Sequence, residues 1–144
     1  MSAITKAIFD RLKDDGTLTA LLGSFSSAPS IFTLRPTPPG FSVSTHGPYI
    51  LTTGESVAIP GLRETKTKAG LEIVRDILCF TDLALSPTRV EDIAYRVRTL
   101  FQGVASISII GYSIVIAEAT GPIEIDEEDA RGRVVSVRWV LEEN

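Results

Sequence analysis

LEIVRDILCFTDLALSPTRVEDIAYRVRTLFQG, residues 71–103, is the stretch that decides the fold, because the apolar period changes inside it. From Leu71 to Asp82 the spacing is that of a strand. Leu71, Ile73, Ile77 and Cys79 fall on one face, and Val74, Leu78 and Phe80 on the other. Apolar residues on both faces predict a strand that is central in its sheet or covered on its far side. From Ser86 to Phe101 the period becomes helical. Val90, Ile93, Ala94, Val97, Leu100 and Phe101 form one unbroken apolar stripe. Ser86 is the expected cap, and Pro87 fits the first helical position. Glu91 and Asp92 are expected to complement the positive end of the helix dipole, and Gly103 to end the helix. Arg89, Arg96 and Arg98 project from other faces.

Toward the N-terminus, Ile4, Ala7, Ile8 and Leu12 recur at helical spacing, with Ser2 as the expected cap. Asp15-Gly16 breaks that helix. Thr17 is expected to cap a second turn carrying Leu18, Leu21 and Leu22, which Gly23 ends. Residues 24–48 hold Pro29, Pro36, Pro38, Pro39, Gly40, Gly47 and Pro48 and read as loop, with a brief extended piece at Ile31–Leu34. Tyr49 to Thr53 reads as a strand from its β-branched and aromatic content. Residues 54–70 are bracketed by glycines, contain Pro60-Gly61, and carry Arg63, Lys66 and Lys68 against Glu64. Their extended flanks predict a long cationic β-hairpin or loop, residues 54–68, projecting from the body.

Toward the C-terminus, Ile107–Ile110 is a short apolar run, and Gly111 separates it from a strand at Tyr112–Ile116. The last strand sets Val135, Val137, Trp139 and Leu141 against Val134, Ser136, Arg138, Val140 and Glu142. That alternation predicts one packed face and one partly exposed. The expected architecture is α+β, in one domain spanning residues 1–144. It has a mostly antiparallel β-sheet of four to five strands, two helices packed on one face, and the projecting segment.

At 144 residues the chain is long enough for a single hydrophobic core. Its 44% hydrophobic and 22% charged content is that of a globular protein. A net charge of −4 disfavours wrapping nucleic acid as the main function. The one cysteine, Cys79, excludes an intrachain disulfide and a multi-cysteine metal site, and its apolar neighbours make it a buried, inert thiol. That fits a chain that folds in a reducing cytoplasm. No apolar run approaches the ~20 residues of a membrane span, so no membrane partner is expected. The N-terminal residues lack the pattern of a signal peptide.

Reactive motifs are absent from the sequence. There is no phosphate-binding glycine loop, no GxSxG elbow and no HExxH pair. His46, the only histidine, stands beside Gly47-Pro48 without the partners that a triad or zinc site requires, and reads as a solvated loop residue. Glu124, Asp126, Glu127, Glu128 and Asp129 cluster before Arg131-Gly132. Several carboxylates together could coordinate Ca²⁺, but their spacing is not that of an EF-hand, so they read first as a solvated connection, or as an acidic patch meeting a basic one on a neighbouring subunit. Trp139 shares its face with Val137 and Leu141, which points to a core or interface role before base stacking. No catalytic residue, metal or cofactor is expected.

The order of segments resembles the small tail-completion or tail-terminator proteins of long-tailed phages. The likeness is carried by a helix ending Leu21-Leu22-Gly23, a proline-containing loop, and the strand start Pro48-Tyr49-Ile50. A polar insertion follows, then a β-branched strand, the helix containing Arg89-Val90-Glu91-Asp92-Ile93-Ala94, and the closing strand Val134–Trp139. The resemblance implies a non-enzymatic virion protein, assembled in the host cytoplasm and placed at the head–tail junction. It would form a homo-oligomeric ring of about six subunits capping the tail tube. Its partners would be further copies of itself, the tail tube protein and the head connector or stopper protein, with double-stranded DNA passing through the lumen. Arg63, Lys66 and Lys68 would meet Glu124, Asp126, Glu127, Glu128 and Asp129 of the next subunit, or line the channel. Two alternatives stand beside it. One is a head-to-tail stopper or adaptor of the same neck; the other is a small-molecule-binding α+β domain with a pocket near His46, Tyr49 and Tyr112.

Overall fold

The computed structural model describes residues 3–33, 37–52, 57–60, 70–84, 86–103, 107–126 and 130–143. In chain order its elements are α1 (Ala3–Lys13), α2 (Gly16–Leu21), β1 (Ser24–Phe25), β2 (Ala28–Pro29), β3 (Ile31–Phe32) and α3 (Val43–His46). They continue with β4 (Tyr49–Leu51), β5 (Val57–Pro60), β6 (Gly70–Asp82), α4 (Pro87–Phe101), β7 (Tyr112–Glu124) and β8 (Ala130–Glu143).

The central strand is β6, as its two-faced apolar pattern requires. It pairs antiparallel with β8 along its whole length, from Gly70 opposite Glu142 to Asp82 opposite Ala130. β7 completes that side, antiparallel to β8. The other edge of β6 is shared: β4 pairs with Leu78–Phe80, and β5 with Leu71–Val74. β3 then joins β4 in parallel, the one parallel pair among the described strands. The sheet therefore has six described strands, one more than expected, and is mixed, though mostly antiparallel. β7 runs well past the expected end at Ile116. Ala117 and Ala119 face Trp139 and Val137 across β8, where small side chains fit beside the large ring.

α1, α2 and α4 cover one face, and the whole predicted stripe of α4 is buried. Below it lie Ile73, Ile77 and Cys79 of β6 with Val135, Val137, Trp139 and Leu141 of β8. Phe101 meets Trp139 edge to face, with ring centroids 6.1 Å apart. Fully burying each large aliphatic side chain contributes about 1.5–3 kcal/mol, so this layer dominates the stability. Two cap expectations need correction. The N-cap of α2 is Asp15 rather than Thr17: its carboxylate accepts the Leu18 N–H at 2.8 Å. Glu91 and Asp92 lie beyond the first turn of α4, which holds no acidic residue. Ser86 does cap α4, accepting from the Thr88 N–H.

The opposite face is covered at one end by the segment expected to be loop. The β1–β2 hairpin and α3 bring Phe25, Phe41 and His46 against Phe32, Tyr49 and Phe80. Tyr49 and Leu51 point into this second cluster, while Ile50 between them belongs to the helix-side core. Two glycines permit the packing. A Cβ on Gly23 would lie 1.7 Å from the His46 carbonyl oxygen, and one on Gly132 would lie 2.7 Å from the Phe80 ring.

Candidate interaction surfaces

The acidic cluster is organised around Arg133, which is buried on β8. Its guanidinium donates to the Gly132 carbonyl at 2.8 Å and to Asp126 at 3.5 Å. It also lies 3.5 Å from Glu91 of α4 and 3.9 Å from Glu124. Asp126 accepts the Gly132 N–H as well, at 3.1 Å. Glu124 and Asp126 thus tie the β7–β8 connection to α4 within one chain. A cation at their centre also repels a metal ion, and among the described residues no group of three or more His, Cys, Asp or Glu could hold one. Glu127, Glu128 and Asp129 lie outside the described residues, as do Arg63, Lys66 and Lys68. β5 and the start of β6 pair antiparallel on either side of residues 61–69, as the base of a hairpin must. Residues 61–69, expected to form the projecting tip, lie outside the described residues.

The three residues expected near a small-molecule pocket do not converge. His46 is half-buried rather than fully solvated: it stacks on Phe41 and takes the edge of Phe25, and its Nδ1 accepts the Ser42 N–H at 3.1 Å. Tyr49 stacks on Phe80 in the same lobe. Tyr112 packs against the helix-side core at the other end of the sheet, opposite Glu143. Phe80 pairs with Gly132, and Gly132 to Glu143 at about 3.3 Å per residue spans roughly 35 Å. Cys79 is fully buried, and burial pushes its thiol up to about 12, so it stays protonated and unreactive.

Three surface features had no clear signal in the sequence. The first is a charge ladder on the face of the sheet away from the helices: Arg138 of β8 bonds Glu72 of β6 and lies 3.6 Å from Glu118 of β7. Burial and opposite charge could not be assigned until the register was known. The second is the outer edge of β7, whose middle, Ala117 to Gly121, is covered by α4 and the two residues after it. Gly103 N–H donates to the Ala117 carbonyl, the Ala119 N–H donates to Gln102 Oε1, and Arg98 Nη1 donates to the Gly121 carbonyl. The donor–acceptor distances are 3.2, 3.0 and 2.9 Å. Blocking an edge in this way prevents strand-to-strand association. The third is a set of exposed apolar side chains: Ile110 at 86%, Ile123 at 61% and Tyr95 at 56% exposure. Among the described residues, no helix is long and apolar enough to cross a membrane.

No protein-family model and no curated protein matches this sequence. Its fold, however, has solved counterparts. One is a chain from the virion of a native gene transfer agent particle, with a TM-score of 0.75 at 20% identity. That likeness spans 96% of this chain and 94% of the other. A second solved chain superposes with a TM-score of 0.61 at 13% identity, over 96% and 93% of the two chains. The α+β architecture is therefore an established fold, shared from end to end.

Proposed function

We propose that this chain is a structural virion protein that forms a ring, closes the tail tube and joins it to the head connector, with DNA passing through the lumen. The observation that carries the reading is the end-to-end likeness of fold to a chain from a gene transfer agent virion, with nearly full coverage of both. The order of elements supports it from the sequence side. So does the fate of the two side chains with intrinsic reactivity: His46 is packed among phenylalanines and Cys79 is fully buried. The partners in this reading are further copies of the chain, the tail tube protein and the connector or stopper protein. Arg63, Lys66 and Lys68 are the cations proposed to face a neighbouring subunit or the channel.

Loss of the gene in its parent particle distinguishes the neck roles. A terminator's loss leaves overlong tubes, whereas a stopper's loss leaves tubes of normal length and heads that leak DNA. Electron microscopy of purified protein mixed with tube protein is expected to show capped tubes. A chain that stays monomeric at every concentration and never binds tube protein would overturn the proposal.

A further inference from the structure

The face of the sheet turned away from the helices carries more carboxylates than it neutralises. Ile73 and Ile77 of β6, Val137 and Trp139 of β8, and Ala117 and Ala119 of β7 all belong to the helix-side core. Their neighbours along each strand therefore point the other way: Glu72, Val74 and Asp76, Ser136 and Arg138, Glu118 and Thr120. Among the described residues of these strands, Arg138 is the one cation on that face. It bonds Glu72 and lies 3.6 Å from Glu118, whose side chain is 55% exposed. Asp76 is exposed too; it accepts the Ser136 hydroxyl at 2.6 Å and meets no described cation. One guanidinium thus serves Glu72 and Glu118, and Asp76 is left without one.

The sequence supplies cations in one place, Arg63, Lys66 and Lys68 against Glu64. They belong to residues 61–69, which begin and end at one end of the sheet, since Pro60 is opposite Leu71 and Gly70 opposite Glu142. A segment of that length, anchored at both ends, reaches at most about 15 Å at about 3.3 Å per residue. Asp76 lies back along β6, roughly 20 Å from Gly70, beyond the reach of that segment's backbone in its own chain. Glu124 and Asp126, the other acidic destination, are already gathered by Arg133. The sheet edges are poor sites for a neighbour. The middle of β7 is covered, and β5 ends at Pro60, which offers no N–H to an added strand. What remains is the face.

We propose that residues 61–69 of one copy lie across this sheet face of the next, with Arg63, Lys66 and Lys68 meeting Asp76 and Glu118. Segment and face are unlike surfaces, and contacts of that kind repeat head to tail into rings when the rotation closes. The inference rests on the ring reading above and names the surfaces that join its subunits.

Cross-linking of the wild-type chain tests it without any demand on a variant's folding. Ordinary and isotope-labelled chains are mixed, assembled with tube protein, and treated with a carbodiimide, which joins a lysine amine to a carboxylate touching it. Mass spectrometry should find Lys66 or Lys68 joined to Asp76 or Glu118 in pairs that combine a labelled with an unlabelled peptide. Asp76→Lys sets an ammonium against the segment's cations and should raise the concentration at which rings form about tenfold. Its circular dichroism should match the wild type, because Asp76 is exposed. Rings whose links run to Glu124 or Asp126, stay within one chain, or do not appear would overturn the docking and leave the ring reading standing. Rings unaffected by Asp76→Lys would do the same. A wild type that stays monomeric, with or without tube protein, would defeat the ring reading and this contact with it.

Discussion

Asp15 does two jobs with one carboxylate. It caps α2 through the Leu18 N–H and receives two bonds from Arg96 of α4, at 2.9 and 2.7 Å. The Arg96 guanidinium, aided by the Leu18 N–H, holds its carboxyl below the usual aspartate range against the opposing effect of burial. Asp15→Ala should lower stability by about 2 kcal/mol, combining a lost cap with lost charge-assisted bonds. Asp15→Asn can still cap, so it should cost about half as much. Because the folded value is depressed, this stabilisation is fully present above the unfolded value of about 3.9 and is lost as pH falls through the folded one. Urea midpoints of wild type and Asp15→Ala at neutral pH and near pH 3 should therefore converge in acid. A gap that does not narrow would show that the cap alone carries the effect. The sequence placed a break at Asp15-Gly16 but assigned the cap to Thr17, two residues too late. Both residue types cap well; only the position of Arg96, eighty-one residues away, favours the aspartate.

At the scale of elements, α4 is both a core helix and a guard. Its apolar stripe was legible because capping and helical period are local properties. Its second role was not, because Gln102 and Gly103 look like an ordinary helix end. Gln102→Ala should leave the Ala119 N–H without its partner and cost about 1 kcal/mol in chemical denaturation. It should also increase light scattering on concentration, since part of the edge is opened. An unchanged denaturation midpoint would mean that water replaces the Gln102 side chain at no cost. The aromatic lobe makes the same point about β1, β2 and α3. Prolines and glycines marked residues 24–48 as irregular, yet Phe25, Phe41 and His46 fold back onto Tyr49 and Phe80. Such clustering between short segments leaves no periodic trace.

Across the whole molecule, β6 threads both hydrophobic clusters: Ile73, Ile77 and Cys79 face one, Leu78 and Phe80 the other. Unfolding either layer strips one face of the central strand, so the two should be lost together. Trp139, the only tryptophan, is fully buried beside Phe101 and reports on the helix-side layer. Its fluorescence in urea should shift to the red at the midpoint at which far-ultraviolet circular dichroism is lost. Two separated transitions would show that the aromatic lobe and the helix layer unfold independently.

The sequence by itself determined the elements whose signals lie within a few residues: the α4 helix with its Ser86 cap, the two-faced strand β6, and the alternation of β8. It also gave the α+β class and the inertness of Cys79. Tertiary structure alone decided which carboxylate caps, that Arg133 gathers Glu124 and Asp126, that His46 is packed against Phe41, and that the β7 edge is covered from Ala117 to Gly121. Those outcomes depend on partners far apart in the chain, brought together by register and burial. A local pattern fixes what an element is, and only the assembled core fixes what each element meets.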